Sequence, residues 1–334
     1  MEVVTLNNPL SEKPAVSDEE KSRIRLAASL RQQSLKALIG IIWQLSITGL
    51  AILLSLQGQW YWWLLGQMAL SIVMVQWFFL LHDFGHGSYF KSKKLNDVFG
   101  LLASVFSLLP YYPWKLVHHA HHKWTGWREF DPTIPERKFE ELTPGQISLV
   151  DFCWKYWIPI FAFSYTIQTF YKLSRLRLLF PGKRNDQKMS RSIYFIALAH
   201  LSMLILLGPI LYIQLWLLAF ILYLTISDPM LLSQHTHLDY HDIEIEDVKP
   251  VRHIDQSFFS RSIVYPLWME KYLLYFSNRH GLHHQFPWIP TYQLGKMENP
   301  EENRISWLEW LRIAKSMPGH LLIFRSTKHT GVKL

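Results

Sequence analysis

Sixteen histidines occur in this 334-residue chain, and twelve of them fall in four tight groups. In His82-Asp83-Phe84-Gly85-His86 two imidazoles stand four residues apart, which puts both on one helical face, a usual way to chelate a metal. His118-His119-Ala120-His121-His122 contains an H-x-x-H-H frame through His118, His121 and His122, and His280-Gly281-Leu282-His283-His284 repeats that frame. The fourth group is Gln234-His235-Thr236-His237, with His241 nearby. A lone histidine on an apolar face is ordinarily a hydrogen-bonded core residue, and His200 is read that way; His253, His320 and His329 read as surface residues. Structural zinc takes four protein ligands and catalytic zinc three, so eight or nine imidazoles are too many for one ion. They suit two metals, each with several imidazoles and an open position for oxygen. Neutral imidazole fits iron, copper, zinc and nickel, and Cys153, the single cysteine, supplies no thiolate cluster to favour a softer ion.

The elements that must carry these groups are membrane spans. Hydrophobic residues make up 49% of the chain and charged ones only 18%, against about 25% in an ordinary soluble domain. The apolar residues lie in long blocks, which excludes disorder, a coiled coil and a typical cytosolic enzyme. Ala37–Leu56 and Trp60–Leu81 carry no charge, and each is long enough to cross about 30 Å of hydrocarbon. The connection between them, Gln57-Gly58-Gln59, is so short that they must form an antiparallel hairpin, with Trp60, Tyr61, Trp62 and Trp63 as an aromatic belt at its tip. A second hairpin is expected over Ile193–Ile213 and Leu215–Leu232, turning near Gly208-Pro209. Val98–Pro113, with two prolines, and Trp154–Tyr171, with several polar residues, read as interfacial or half-inserted. If only the two hairpins cross, all four histidine groups share one face with both termini. The basic flanks from Arg23 to Arg184 also lie on that side, so the positive-inside rule makes it the cytoplasm. The expected fold is therefore all-α and integral to the membrane. It has four transmembrane helices in two hairpins, interfacial helices, and a cytoplasmic helical cap (82–192 and 233–334) holding a poly-histidine dinuclear site. Residues 1–36 form a polar N-terminal segment ahead of the 37–334 membrane domain, and they have no signal-peptide core. The net charge of +8 is spread through the non-apolar segments, as suits a face held against anionic lipid better than a nucleic-acid groove.

The order HDFGH, HHAHH, QHTH, HGLHH, threaded between apolar hairpins, resembles the integral-membrane fatty-acid desaturase superfamily. The local context, His82-Asp83-Phe84-Gly85-His86-Gly87-Ser88, Pro110-Tyr111-Tyr112-Pro113-Trp114 and His280 to Pro287, is similar to its acyl-lipid delta-12 and omega-3 branch. The likeness runs from about Gln76 to Leu294. It implies a non-haem di-iron centre with O₂ as co-substrate. One iron set would draw on His82, His86, His118, His121 and His122, and the remaining ligands would be His280, His283, His284 and His237, with His235 the alternative to His237 and His119 the alternative to His118. Asp83 is expected to accept an imidazole N–H, with Asp131 and Asp239 or Asp255 as weaker candidates for that role.

Removing hydrogen from an unactivated alkyl chain needs an oxidant that amino-acid side chains cannot provide, which is the part a metal pair plays. Without a G-x-G-x-x-G fingerprint, a cysteine set or a haem segment, electrons must come from an external carrier, a ferredoxin or a cytochrome b5-like protein. Fatty-acyl desaturation is the leading expectation. Hydroxylation, carotenoid ketolation or alkene-forming decarboxylation are its rivals on the same scaffold, and a membrane metal carrier is the rival from another class. Trp114, Trp124, Trp127, Phe130, Trp268 and Phe286 are candidate walls for a lipid tunnel. The compact chain favours a bacterial inner membrane over the endoplasmic reticulum.

Overall fold

The computed structural model describes residues 17–135, 137–244, 247–299 and 302–334. Residues 1–16 of the N-terminal segment therefore lie outside the described residues. Beyond Ser17 the chain enters a helix, α1 (Asp18–Ser29), whose first turn is acidic and capped by the Ser17 hydroxyl, as the helix dipole favours. Its inner face, Ala27 with Leu30, packs on Leu282, Phe286, Ile289, Leu294 and Met297 around the last histidine group.

The first hairpin is α2 (Ser34–Ser55) and α3 (Trp60–His86). In α2 the buried positions are Ala37, Ile41, Gln44, Thr48, Ala51 and Ser55, a three-and-four stripe of mostly small or polar residues. The outer face carries Leu38, Ile39, Ile42, Trp43, Leu50 and Leu53, all exposed. Large apolar side chains outside and small ones inside are the inverse of a soluble helix, and lipid is the solvent that explains it. Two polar members of the stripe tie the hairpin to its neighbours: Trp77 Nε1 donates to Thr48 Oγ1 at 3.0 Å, and the Tyr275 hydroxyl donates to Gln44 Oε1 at 2.7 Å. The helices meet so closely that a Cβ on Gly66 would stand 2.3 Å from the Ser55 nitrogen, which leaves room only for glycine.

After α3 the chain leaves the histidine face through α4 (Lys93–Ser107) and returns through α5 (Tyr111–Trp124), with a bend of 101° between them. The stretch read as half-inserted is thus a bent pair, and its returning arm carries the second histidine group. Three short helices come next, α6 (Pro144–Lys155), α7 (Ile160–Thr166) and α8 (Leu173–Leu179), with a π-helical turn at Ile167–Tyr171. None of the helices in the Trp154–Tyr171 stretch is long enough to span. Asp228, conspicuous as an acid near a span end, accepts the Ala162 N–H at 2.5 Å and so caps the start of α7 rather than pairing with a histidine.

The second hairpin is the long segment α9 (Lys183–His235), broken at Gly208 with φ 74° and ψ 161°, a conformation open to glycine alone. His200 lies 2.9 Å from the Tyr212 hydroxyl and its ring centroid 5.3 Å from that of Trp216. In a straight helix sixteen residues would separate those rings by roughly 24 Å, so the chain folds back on itself. The reversal falls at Gly208, where the turn was expected, so the two arms divide there rather than between residues 213 and 215. The returning arm runs parallel to α3: Trp63 donates to Gln214 O at 3.0 Å, and Gln67 bonds both Leu215 O and Ala219 N. Both of these helices therefore end at the same face, one at His86 and the other at His235.

The remaining chain forms a cap of short elements, among them α10 (Leu267–Tyr272), α11 (His280–Gln285) and a parallel pair of three-residue strands, Ser262–Val264 with Arg304–Ser306. The architecture is all-α in every element of size.

Candidate metal centre

Four helix ends bring nine imidazoles together in two groups. His121, His235, His280 and His284 form one; His82, His86, His118, His122 and His283 form the other, and within each the candidate ligand atoms all lie within 4.8 Å of one another. In the four-imidazole group the Nε2 atoms face inward: His121 to His235 at 3.2 Å, His121 to His284 at 3.3 Å, His235 to His280 at 2.7 Å and His284 to His280 at 3.1 Å. Their outer nitrogens meet acceptors. His121 Nδ1 is 2.6 Å from Asp131 Oδ2, His235 Nδ1 is 2.9 Å from Phe259 O, and His284 Nδ1 is 3.0 Å from Gln256 Oε1.

A neutral imidazole has one N–H. Where that proton sits on Nδ1, facing an acceptor, Nε2 keeps only a lone pair. At least three lone pairs thus converge on one point with no donor among them, an arrangement that repels itself until a cation sits there. The donor set, all imidazole and no thiolate, fits iron. The imidazoles of the five-member group converge as well. His122 Nε2 lies 3.1 Å from His118 Nε2 and 2.9 Å from His283 Nε2, while His82 Nδ1, His86 Nε2 and His122 Nδ1 are buried without a hydrogen-bond partner. Buried orphan nitrogens of this kind are costly unless something outside the polypeptide satisfies them.

Burial, reinforced by neighbouring imidazoles, holds His86, His118, His122, His280, His283 and His284 well below the ordinary imidazole value and pushes His235 down to about 3. They are neutral at pH 7, the form that binds metal. Burial alone would raise the Asp131 carboxyl, but His121 beside it and the Thr133 N–H and hydroxyl outweigh that and hold it below the usual carboxylate value.

Three expectations need correction. The remaining imidazole comes from His235 and not from His237. Helix α9 ends at His235, the backbone turns extended at Thr236, and His237 takes φ 60°, so its ring points away to the Thr330 hydroxyl at 2.7 Å and Leu321 O at 3.3 Å. The partition between the two sets also differs. His121 leaves the set assigned to it and joins His235, His280 and His284, while His283 crosses to His82, His86, His118 and His122. In each H-x-x-H-H frame the i and i+4 imidazoles stay together and the i+3 imidazole serves the other group, because positions three and four apart fall on either side of the helix line facing the seam. Finally, Asp83 does not reach an imidazole. It is 3.7 Å from His82 Nδ1, too far for a hydrogen bond, and its Oδ2 accepts the Thr291 N–H and hydroxyl at 2.8 and 2.7 Å.

The other expected residues separate similarly. Asp131 stands against His121, whereas Asp239 accepts the Lys328 N–H and Asp255 pairs with Arg252. His119 lies outside both groups, on the exposed side of α5, its ring 5.7 Å from that of His86. Among the described residues, a cavity of about 1270 Å³ opens beside the centre. Val75, Phe78, Phe79, Leu109 and Val117 line it with His82, His118, His121, His235, His280 and His283, and its lining also holds charges of both signs, among them Arg128, Lys172, Glu129 and Asp239. Of the expected tunnel walls only Trp114 lines this cavity, stacked on His118 at 4.3 Å. Trp124 packs on Phe130, Trp127 on His241, Phe286 in the cluster under α1, and Trp268 is exposed. Gln256 and Phe259 were missed by sequence reasoning; neither lies in a histidine motif, and a glutamine among surface-like residues carries no signal.

The family model for fatty acid desaturases matches residues 32–307. The chain belongs to the fatty acid desaturase family. It is 26% identical over 271 residues to the acyl-lipid omega-3 desaturase (cytochrome b5) of the endoplasmic reticulum of Arabidopsis thaliana, covering 75% of this chain and 66% of that protein. It is 26% identical over 308 residues to a chloroplastic omega-3 fatty acid desaturase of Glycine max, covering 85% and 65%. A shorter match, 30% over 106 residues, covers 31% of this chain and 27% of an sn-1 acyl-lipid omega-3 desaturase (ferredoxin) of Synechocystis sp.. This desaturase-family chain thus spans slightly under two thirds of the length of the two plant proteins.

Proposed function

We propose that this chain is an O₂-dependent di-iron enzyme that introduces a C=C bond into a fatty-acyl chain at the cytoplasmic face of its membrane. The observation that carries the reading is the convergence of nine imidazoles in two adjacent groups beside a cavity with apolar side chains in its wall. One iron would be held by His121, His235, His280 and His284, and the other by His82, His86, His118, His122 and His283. Iron in such a site supplies the oxidising power, with O₂, that side chains lack.

The polypeptide does the rest. Val75, Phe78, Phe79 and Val117 take an alkyl chain out of water, Trp114 stacks on the His118 ring, and burial keeps His86, His118, His122, His235, His280, His283 and His284 neutral. Relatives named for cytochrome b5 and for ferredoxin support an external one-electron carrier, and the net charge of +8 suits an acidic one. The basic flanks support a cytoplasmic centre. Lipid profiling of an expressing host tests the reaction. The expected product is an acyl chain two hydrogens lighter with no added oxygen. A product one oxygen heavier, or an alkene one carbon shorter, would replace desaturation by hydroxylation or decarboxylation, and metal flux without O₂ consumption would point to a carrier.

A further inference from the structure

Gln256 is fully buried in the short 3₁₀ segment His253–Phe259, outside every histidine motif. Its Nε2 donates to His122 O at 2.7 Å and to Val251 O at 3.1 Å. Two carbonyls can only accept, so they fix which end of the amide is nitrogen, and they leave Oε1 facing His284 Nδ1 at 3.0 Å. An amide oxygen in turn can only accept, so Nδ1 of His284 must carry the ring proton and Nε2 must be bare. That bare nitrogen points at His280 Nε2, 3.1 Å away, and at His121 Nε2, 3.3 Å away. The opposite tautomer would push an N–H into the middle of the four-imidazole group and leave Oε1 buried against a lone pair.

We infer that Gln256 is a positioning residue for metal binding. It sets the His284 tautomer in the four-imidazole group and, through His122 O, ties that ring to α5, which carries members of both groups. The inference rests on the two-metal reading above, and it goes beyond the ligands to a neutral amide that imposes a protonation pattern by elimination. Asp131 acts on His121 by charge, whereas Gln256 acts on His284 by hydrogen-bond direction alone.

The test uses the full chain in detergent, stripped of metal and titrated with Co²⁺, followed by ligand-field absorption and by metal content. Wild type is expected to bind two Co²⁺. Gln256→Met, similar in volume but without donor or strong acceptor, is expected to weaken one of the two by about 10- to 100-fold, the usual range for a ligand's hydrogen-bond partner, with the other unchanged. Gln256→Glu, whose buried carboxyl stays protonated and can donate its hydroxyl to His122 O while the other oxygen accepts from His284, is expected to recover most of that affinity. The inference is overturned if Gln256→Met binds both ions as wild type does, if it weakens both equally together with a lowered apo melting midpoint, or if Gln256→Glu binds no better than Gln256→Met. Fewer than two Co²⁺ in wild type would instead overturn the two-metal reading, and the role of Gln256 with it.

Discussion

The two imidazole groups are built on opposite principles. In the four-imidazole group three rings are each held from outside by an acceptor: a carboxylate on His121, a backbone carbonyl on His235 and an amide on His284. In the five-imidazole group His82 Nδ1 and His122 Nδ1 are buried with no acceptor, and the nearest carboxylate, Asp83, is turned toward Thr291. One group has few ligands with fixed orientation; the other has an extra ligand and less external support. Ligand number and outer hydrogen bonding are alternative ways of reaching the same affinity, so the groups should fail differently.

Removing a ligand gives the largest contrast. His280→Ala leaves three imidazoles in its group, and His283→Ala leaves four in the other. Both are expected to abolish turnover while the protein still inserts. Metal analysis should show His280→Ala falling from roughly two ions per chain to roughly one, with His283→Ala staying closer to two. Full turnover in His283→Ala would remove it from the ligand set, and equal metal loss in both variants would erase the contrast.

Acidification should act on both groups. Burial lowers the folded-state values of these imidazoles, His235 to about 3, while in the unfolded chain they titrate near about 6.5. Below that pH the unfolded, metal-free chain takes up protons that the folded one refuses. Apo stability and metal retention are therefore complete above it and fall progressively as pH drops toward the folded values. Melting midpoints of the apo protein between pH 7.5 and 4.5 read this directly, and a midpoint that rises on acidification would contradict the neutral-imidazole assignment.

The smallest effects separate the two acids. Asp131→Asn removes the charge behind His121 and is expected to weaken metal at the four-imidazole group by about 10- to 100-fold. Asp83→Asn should leave Co²⁺ affinity unchanged and cost about 1 kcal/mol of stability, as its bonds to Thr291 lose their ionic character. The same Co²⁺ titrations and melts distinguish them, and an Asp83→Asn variant with weakened metal would show that the five-imidazole group is supported after all.

Much of this was legible in the residues. The two hairpins could be read because uncharged blocks of membrane length joined by three residues have one economical arrangement. Their consequence, that all the histidine groups meet at one face, comes from counting crossings. The break was visible as Gly208-Pro209, though the ends of the two arms were not, because helix ends within apolar sequence are set by packing partners such as Tyr212 and Trp216. Asp83 could have been judged better from the helix alone. Neighbouring positions are turned by about 100°, so an acid adjacent to His82 faces away from what His82 faces.

By itself the sequence determined the chemistry: imidazole-only ligands, enough for two ions, carried at helix ends spaced to converge. Those are properties of residue type and local period, and they survive any arrangement of the rest. Tertiary structure alone decided which imidazoles fall into the same group. The exchange of His121 and His283 depends on how two helices lie across a common seam. The choice of His235 over His237 depends on a helix end held by Phe259 and Arg261, more than twenty residues away. Contacts of that range leave no period in the chain, because nothing in the spacing of one segment encodes the position of another.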